Sequence, residues 1–219
     1  MSHVLFVLTS HDRMLNGDPT GVWLEEFAVP YQRLRQAGHE VTVASVAGGA
    51  VPIDPNSAVG EEQVRAWQEA IDQLADTPSF DTLDTADYNA VYLPGGHGTC
   101  FDMPYNRKLH DLLFGFDSAG RVISTVCHAP AVFAGMRDDD GVPFIQGRRV
   151  AAFTDSEESA VGGVEKVPFL LESRLKELGA ENEATDDWQV LAVQDGHLMT
   201  GQNPQSSAAV AEKLIAALQ

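Results

Sequence analysis

The residues best suited to chemistry lie in Arg121-Val122-Ile123-Ser124-Thr125-Val126-Cys127-His128-Ala129-Pro130. An apolar run, Val122 to Val126, ends at a cysteine, and a short helix is predicted at once, over His128 to Gly135. A sharp strand-to-helix turn pushes its middle side chain into the open. A helix N-terminus behind the sulfur favours thiolate. His128 could act as base or as orienting group. A buried structural cysteine beside a capping histidine fits the same residues, so the pattern alone leaves both readings open.

Three further segments could complete such a site. Leu93-Pro94-Gly95-Gly96-His97-Gly98-Thr99 follows an apolar run. Clustered glycines let backbone N–H groups approach a ligand and could form an oxyanion hole facing Cys127, or simply a tight turn. The loop is neither a dinucleotide fingerprint nor a Walker loop, because the required glycine and Lys-Ser/Thr positions are missing. In Thr20-Gly21-Val22-Trp23-Leu24-Glu25-Glu26-Phe27, a turn of about 100° per residue puts Trp23, Phe27, Pro30 and Leu34 on one stripe. Glu25 then faces solvent and Glu26 leans inward. A shielded carboxyl has a raised pKa and can shuttle protons; a solvated helix flank is the other reading. The acids of Phe153-Thr154-Asp155-Ser156-Glu157-Glu158 could cap a helix or reach His128, and composition favours capping.

Metal motifs are missing: there is no His-Glu-x-x-His and no Cys-x-x-Cys. Asp138-Asp139-Asp140-Gly141 reads as a turn, and Cys100 reads as packing.

Elements that could position these residues alternate along the chain. Strands are predicted at 3–9, 41–46, 90–93, 122–126 and 150–153, and helices at 21–37, 61–75, 106–116, 168–178 and 204–218. A hairpin is predicted from 190–193 and 197–200 around Asp195-Gly196. Such alternation with fully apolar strands predicts an α/β fold, a mostly parallel sheet with helices on both faces. The whole chain reads as a single domain, with an inserted, partly helical segment at about 48–82.

Five segments in register resemble the ThiJ/PfpI superfamily, which has a class I glutamine-amidotransferase-like fold. They are the stretches around Gly21 to Glu26, Gly95 to Thr99, Val126 to Pro130 and Phe153 to Glu158, with Thr200-Gly201-Gln202-Asn203-Pro204 as the fifth. The chain looks most like the branch of heat-inducible chaperones with glyoxalase III activity. That resemblance implies a flavodoxin-like sandwich, often a homodimer. It implies Cys127 as nucleophile, Glu26 as its partner acid, His128 as acid/base and Glu158 as third member of a triad. It implies Gly96 and His128 N–H groups as oxyanion donors, Gly95 and His97 as substrate contacts, and no metal or other cofactor. The implied reaction turns a small dicarbonyl, methylglyoxal, into lactate without glutathione. A holdase for unfolded client proteins and a Cys-dependent peptidase or amidase are the alternatives in the same superfamily. An activated cysteine beside an acid also oxidises readily to sulfinate, so the site could serve as a redox sensor.

Composition narrows the partners. The chain has 219 residues, with 14 Lys+Arg against 32 Asp+Glu and a net charge of −18. A surface this acidic is unsuited to nucleic-acid phosphates and to anionic membranes. No apolar run reaches the roughly 20 residues of a membrane span. The N-terminus lacks a basic lead and a cleavage site. A cytoplasmic location is the expectation. Acids spread along the whole chain keep a protein soluble where salt screens charge, so a salt-loving source is expected; an ordinary acidic protein fits the same counts. Thermal midpoints in low and molar KCl separate the two. A rise of several degrees is expected, and an unchanged midpoint removes the salt-adapted reading.

Overall fold

Val4 to Leu8 is an apolar run with no polar face, so a strand made from it needs cover on both sides. In the computed structural model, which describes residues 1–219, this run belongs to β1 (His3–Leu8) and is fully buried. After β1 come α1 (Leu24–Gln36), β2 (Glu40–Ser45), α2 (Glu61–Ala66), α3 (Gln68–Asp72) and β3 (Ala90–Leu93). Then follow α4 (Thr99–Asp102), α5 (Arg107–Ser118), β4 (Val122–Val126), β5 (Arg149–Val150), α6 (Asp155–Ala160) and α7 (Leu171–Glu177). β6 (Glu181–Asn182), β7 (Ala192–Asp195), β8 (Leu198–Gly201) and α8 (Ser207–Ala217) close the chain.

The main sheet has the order β2-β1-β3-β4-β8-β7. All its pairings are parallel except β7 with β8, the hairpin predicted around Asp195-Gly196. α1 and α8 pack against each other on one face, and α5 covers β3 and β4. No helix is long and apolar enough to cross a membrane. The chain is thus the α/β sandwich expected, with β1, β3 and β4 at its centre. Their carboxyl ends lie side by side, which is where ligands bind in open α/β sheets.

Two expectations differ from the structure. The strand at 150–153 does not join the main sheet. Arg149 and Val150 pair with Glu181 and Asn182 in a separate two-stranded ribbon. Beyond it the backbone is claimed by other groups: the Ala151 N–H donates to Thr200 Oγ1 at 2.8 Å, and the Phe153 N–H donates to the Cys127 carbonyl at 3.0 Å. The helix at 61–75 is two short helices broken at Trp67, whose backbone leaves the helical region while its indole is buried. Packing of one large side chain outweighs continuity of the helix there.

The loop after β1 is held by close backbone approach. The Val22 N–H donates to Pro52 at 2.8 Å, and the Asp54 N–H returns to Val22 at 3.0 Å. A Cβ on Gly21 would overlap the Pro52 carbonyl. Backbone on both sides leaves no side chain to yield. Gly21→Ala is therefore expected to destabilise the fold by about 2 kcal/mol or more, a fall of about 4–8 °C in thermal midpoint. A midpoint equal to that of the parent would show that the loop can open without loss.

Candidate active site

β4 ends at Val126, and Cys127 follows with φ 59°. Left-handed backbone at a non-glycine residue costs about 1–3 kcal/mol and persists only where surroundings enforce it. Here the Cys127 N–H donates to Gly201 at 2.9 Å, and its carbonyl accepts from Phe153. The sulfur is turned toward a cavity of about 490 Å³, although the residue is only 3% exposed. The chain then enters a 3-10 helix (Ala129–Gly135), tighter than the α-helix start expected to polarise the sulfur. The thiol responds to other forces. Burial pushes its pKa well up, and the Glu26 carboxyl adds to that shift. Formation of the thiolate therefore needs a base.

That base is in place. His128 Nδ1 lies 3.2 Å from Cys127 Sγ, and His128 Nε2 lies 2.6 Å from Glu158 Oε2. His97 Nε2 is 2.7 Å from the other carboxylate oxygen. Burial opposes ionisation of Glu158, but His128 and His97 together hold its carboxyl well below the usual carboxylate range. Burial, reinforced by the neighbouring His97 imidazole with ring centres 4.1 Å apart, lowers His128. A neutral His128 that donates Nε2–H to Glu158 has its Nδ1 lone pair facing the thiol. The sulfur, imidazole and acid so arranged can act as a nucleophile with an oriented base.

Glu26 approaches the sulfur from α1. The helix is anchored by Tyr92, whose hydroxyl donates to the Glu26 carbonyl at 2.9 Å, and Trp23 N–H donates to Gly95 at 3.0 Å. The Glu26 side chain is fully buried. Its Oε2 accepts the Gly95 N–H at 2.7 Å, while Oε1 is buried without a well-formed hydrogen bond and the Cys127 thiol lies beside the carboxyl. Burial raises its pKa well above the carboxylate range, against the lowering effect of the adjacent Cys127. A neutral carboxyl held beside the sulfur has the chemistry to carry a proton.

The structure brings together Cys127, His128, Glu158, His97 and Glu26, all singled out in the sequence. Gly96 and His128 N–H groups donate to no backbone carbonyl and are free to stabilise an oxyanion. Gly96 has φ 104°, and a Cβ there would overlap Gly21. Gly95, expected as a substrate contact, has structural partners of its own. Its N–H is engaged by Glu26, and a Cβ there would lie 2.6 Å from the Val126 carbonyl and 2.9 Å from His128 N. Gly95 is therefore the contact plane between the loop, the acid and the elbow. Glu25 also differs: it lines the cavity half-buried instead of facing solvent, and burial raises its pKa.

The two acids after Phe153 divide the expected tasks. Glu157 closes a capping box with Thr154, and Glu158 reaches the histidines. His97, His128 and Glu158 offer ligand atoms within 4.8 Å of one another, a possible cation grouping, but their short mutual hydrogen bonds would have to break for an ion to enter. Trp188, which also lines the cavity, carried no signal in its local sequence.

The profile of the DJ-1/PfpI family matches residues 19–217. The chain is 32% identical over 237 residues to Glyoxalase 3 of Candida albicans, covering 100% of this chain and 99% of that one. It is 32% identical over 232 residues to the glutathione-independent glyoxalase HSP31 of Saccharomyces cerevisiae, covering 99% and 98% respectively. The crystal structure of glyoxalase III from Candida albicans superposes with a TM-score of 0.86 at 30% identity, over 99% of this chain and 97% of that one. The matched span contains the elbow, the glycine loop and the buried acid of α1, and the chain belongs to the DJ-1/PfpI family.

Proposed function

We propose that this protein is a glutathione-independent glyoxalase that converts methylglyoxal to lactate, with Cys127 as nucleophile and Glu26 as proton shuttle. The observation that supports this reading above others is the buried Glu26 carboxyl, with one oxygen unpartnered, beside the sulfur of a strained elbow. Acyl hydrolysis moves no proton between adjacent carbons. A proton shift between adjacent carbons requires such an acid. The full-length relatives that carry the glyoxalase name support the same reaction class.

In this mechanism His128 Nδ1 takes the thiol proton and sulfur adds to the aldehyde carbon. The new oxyanion lies toward the Gly96 and His128 N–H groups, which act in a water-poor site. Glu26 gives it a proton. The resulting carboxylate then removes the hydrogen on the same carbon. The proton on His128 neutralises the second oxygen, giving an enediol. Glu26 returns the carbon proton to the neighbouring carbon and takes the hydroxyl proton released as the thioester carbonyl forms. Water, deprotonated by His128, cleaves the thioester, and the imidazolium returns a proton to sulfur. Ionised Glu158 keeps His128 in the required tautomer throughout. No electron acceptor or second thiol enters the balance.

Cys127→Ala is expected to lower turnover on the order of 10³-fold or more, and Glu26→Gln by about 10²–10⁴-fold. The readout is lactate formed from methylglyoxal without glutathione. Undiminished lactate production by Cys127→Ala would overturn the assignment.

The same acid predicts a stability profile. An unfolded Glu ionises near about pH 4.3, while burial keeps folded Glu26 protonated to higher pH. The folded-state pKa is the raised one, so its contribution is full below the unfolded value and is lost as pH rises through the folded value. Glu26→Gln has no proton to lose. Its thermal midpoint is expected to exceed that of the parent at pH 8 and to converge with it toward pH 4. Parallel profiles for the two proteins would show that Glu26 ionises freely in the fold.

A further inference from the structure

Two non-glycine residues hold left-handed backbone, Cys127 at φ 59° and Trp188 at φ 64°. Both line the same cavity. For a residue as bulky as tryptophan this backbone is a true outlier. Strain of this kind collects at functional sites and is kept only where neighbours enforce it. The enforcing group is Glu157, which is fully buried. Its Oε1 accepts the Trp188 N–H at 2.9 Å, Asn203 Nδ2 at 2.8 Å and Gln202 Nε2 at 3.2 Å. Its Oε2 accepts the N–H and hydroxyl of Thr154, each at 3.1 Å. One carboxylate thereby ties the Trp188 turn to the start of α6 and to the loop after β8.

The indole held this way continues an aromatic wall. Trp188 lies 5.8 Å from the Phe153 ring, and Phe153 lies 4.3 Å from His128, whose Nδ1 is 3.2 Å from the sulfur. Trp188 is 37% exposed, and it borders the cavity beside the Phe153 ring. Met14, Trp23 and Val161 line the same cavity. Its volume of about 490 Å³ is of the size that encloses drug-like ligands. Methylglyoxal carries only a methyl group beyond its reacting carbons, so it leaves most of this wall uncovered.

We propose that Trp188 determines substrate specificity and that the site accepts 2-oxoaldehydes bearing an aromatic or bulky apolar substituent, which packs against the indole. The proposal rests on the glyoxalase reading and names its substrate class. The bonds are those already balanced: the aldehyde hydrogen moves as a proton to the neighbouring carbon, and one water supplies the carboxylate oxygen. An arylglyoxal thus yields the aryl 2-hydroxy acid without an external oxidant or reductant.

The test compares kcat/KM for phenylglyoxal and methylglyoxal in the parent, Trp188→Ala, Trp188→Gly and Trp188→Phe. Glycine accepts the left-handed backbone, so Trp188→Gly removes the indole without adding strain. The parent is expected to favour phenylglyoxal. The phenylglyoxal-to-methylglyoxal ratio is expected to fall about tenfold in both the Ala and Gly variants, the scale of one lost aromatic contact. The fall should arise mainly in KM for phenylglyoxal, and Trp188→Phe should retain most of the ratio. A parent that consumes methylglyoxal but not phenylglyoxal overturns the proposal, as does a ratio unchanged in the Ala and Gly variants. A parent that consumes neither dicarbonyl overturns the glyoxalase reading itself, and this inference with it.

Discussion

Glu26 sits where no water reaches, and most of the architecture around the sulfur follows from accommodating that carboxyl. A buried acid remains neutral unless a charge or several donors stabilise its anion. Here one donor is supplied, the Gly95 N–H, and one oxygen is left without any. Such sparse solvation requires the glycine loop to lie flat against both the acid and the elbow. A side chain at Gly95 would press on Glu26 Oε2, on the Val126 carbonyl and on His128 N at once. A side chain at Gly96 would strike the loop after β1. Three parallel strands ending side by side bring these backbones together, and the missing Cβ atoms let them touch.

The site holds two carboxyls in opposite states. Glu158 meets two imidazole nitrogens and is driven toward the anion. Glu26 meets one amide and is driven toward the neutral acid. Divergent environments of this kind separate an orienting charge from a proton donor. The division also explains why a thiol with a raised pKa can still be a nucleophile. In the proposed mechanism, activation comes from a local base and not from the resting charge of the sulfur, and Glu158 selects which imidazole nitrogen faces it.

Much of this was legible in the residues. Val122 to Val126 announced a buried strand, and the helical stripe of Trp23, Phe27 and Leu34 turned Glu26 inward. Local pattern suffices where a group's position follows from the periodicity of its own element. It failed for Cys127, whose thiol is pushed up first by burial and then by acids from α1 and α6. It failed for Val150 to Phe153 because that segment's partners, Thr200 and the elbow, are distant in sequence. Glu25 likewise looked solvent-facing on its own helix, yet it borders the cavity into which other segments project.

Glu157 shows the limit most clearly. Its sequence position marks a helix cap, and the cap is there. A cap at a helix start contributes about 1 kcal/mol and needs only its own turn. Full burial with three additional donors from the Trp188 turn and the loop after β8 goes far beyond that need. A carboxyl group out of water is tolerable only if its oxygens are hydrogen-bonded, so those three donors are a condition of its burial. The loops carrying them must therefore hold one arrangement. That requirement accounts for a tryptophan in a backbone conformation that it would not adopt alone.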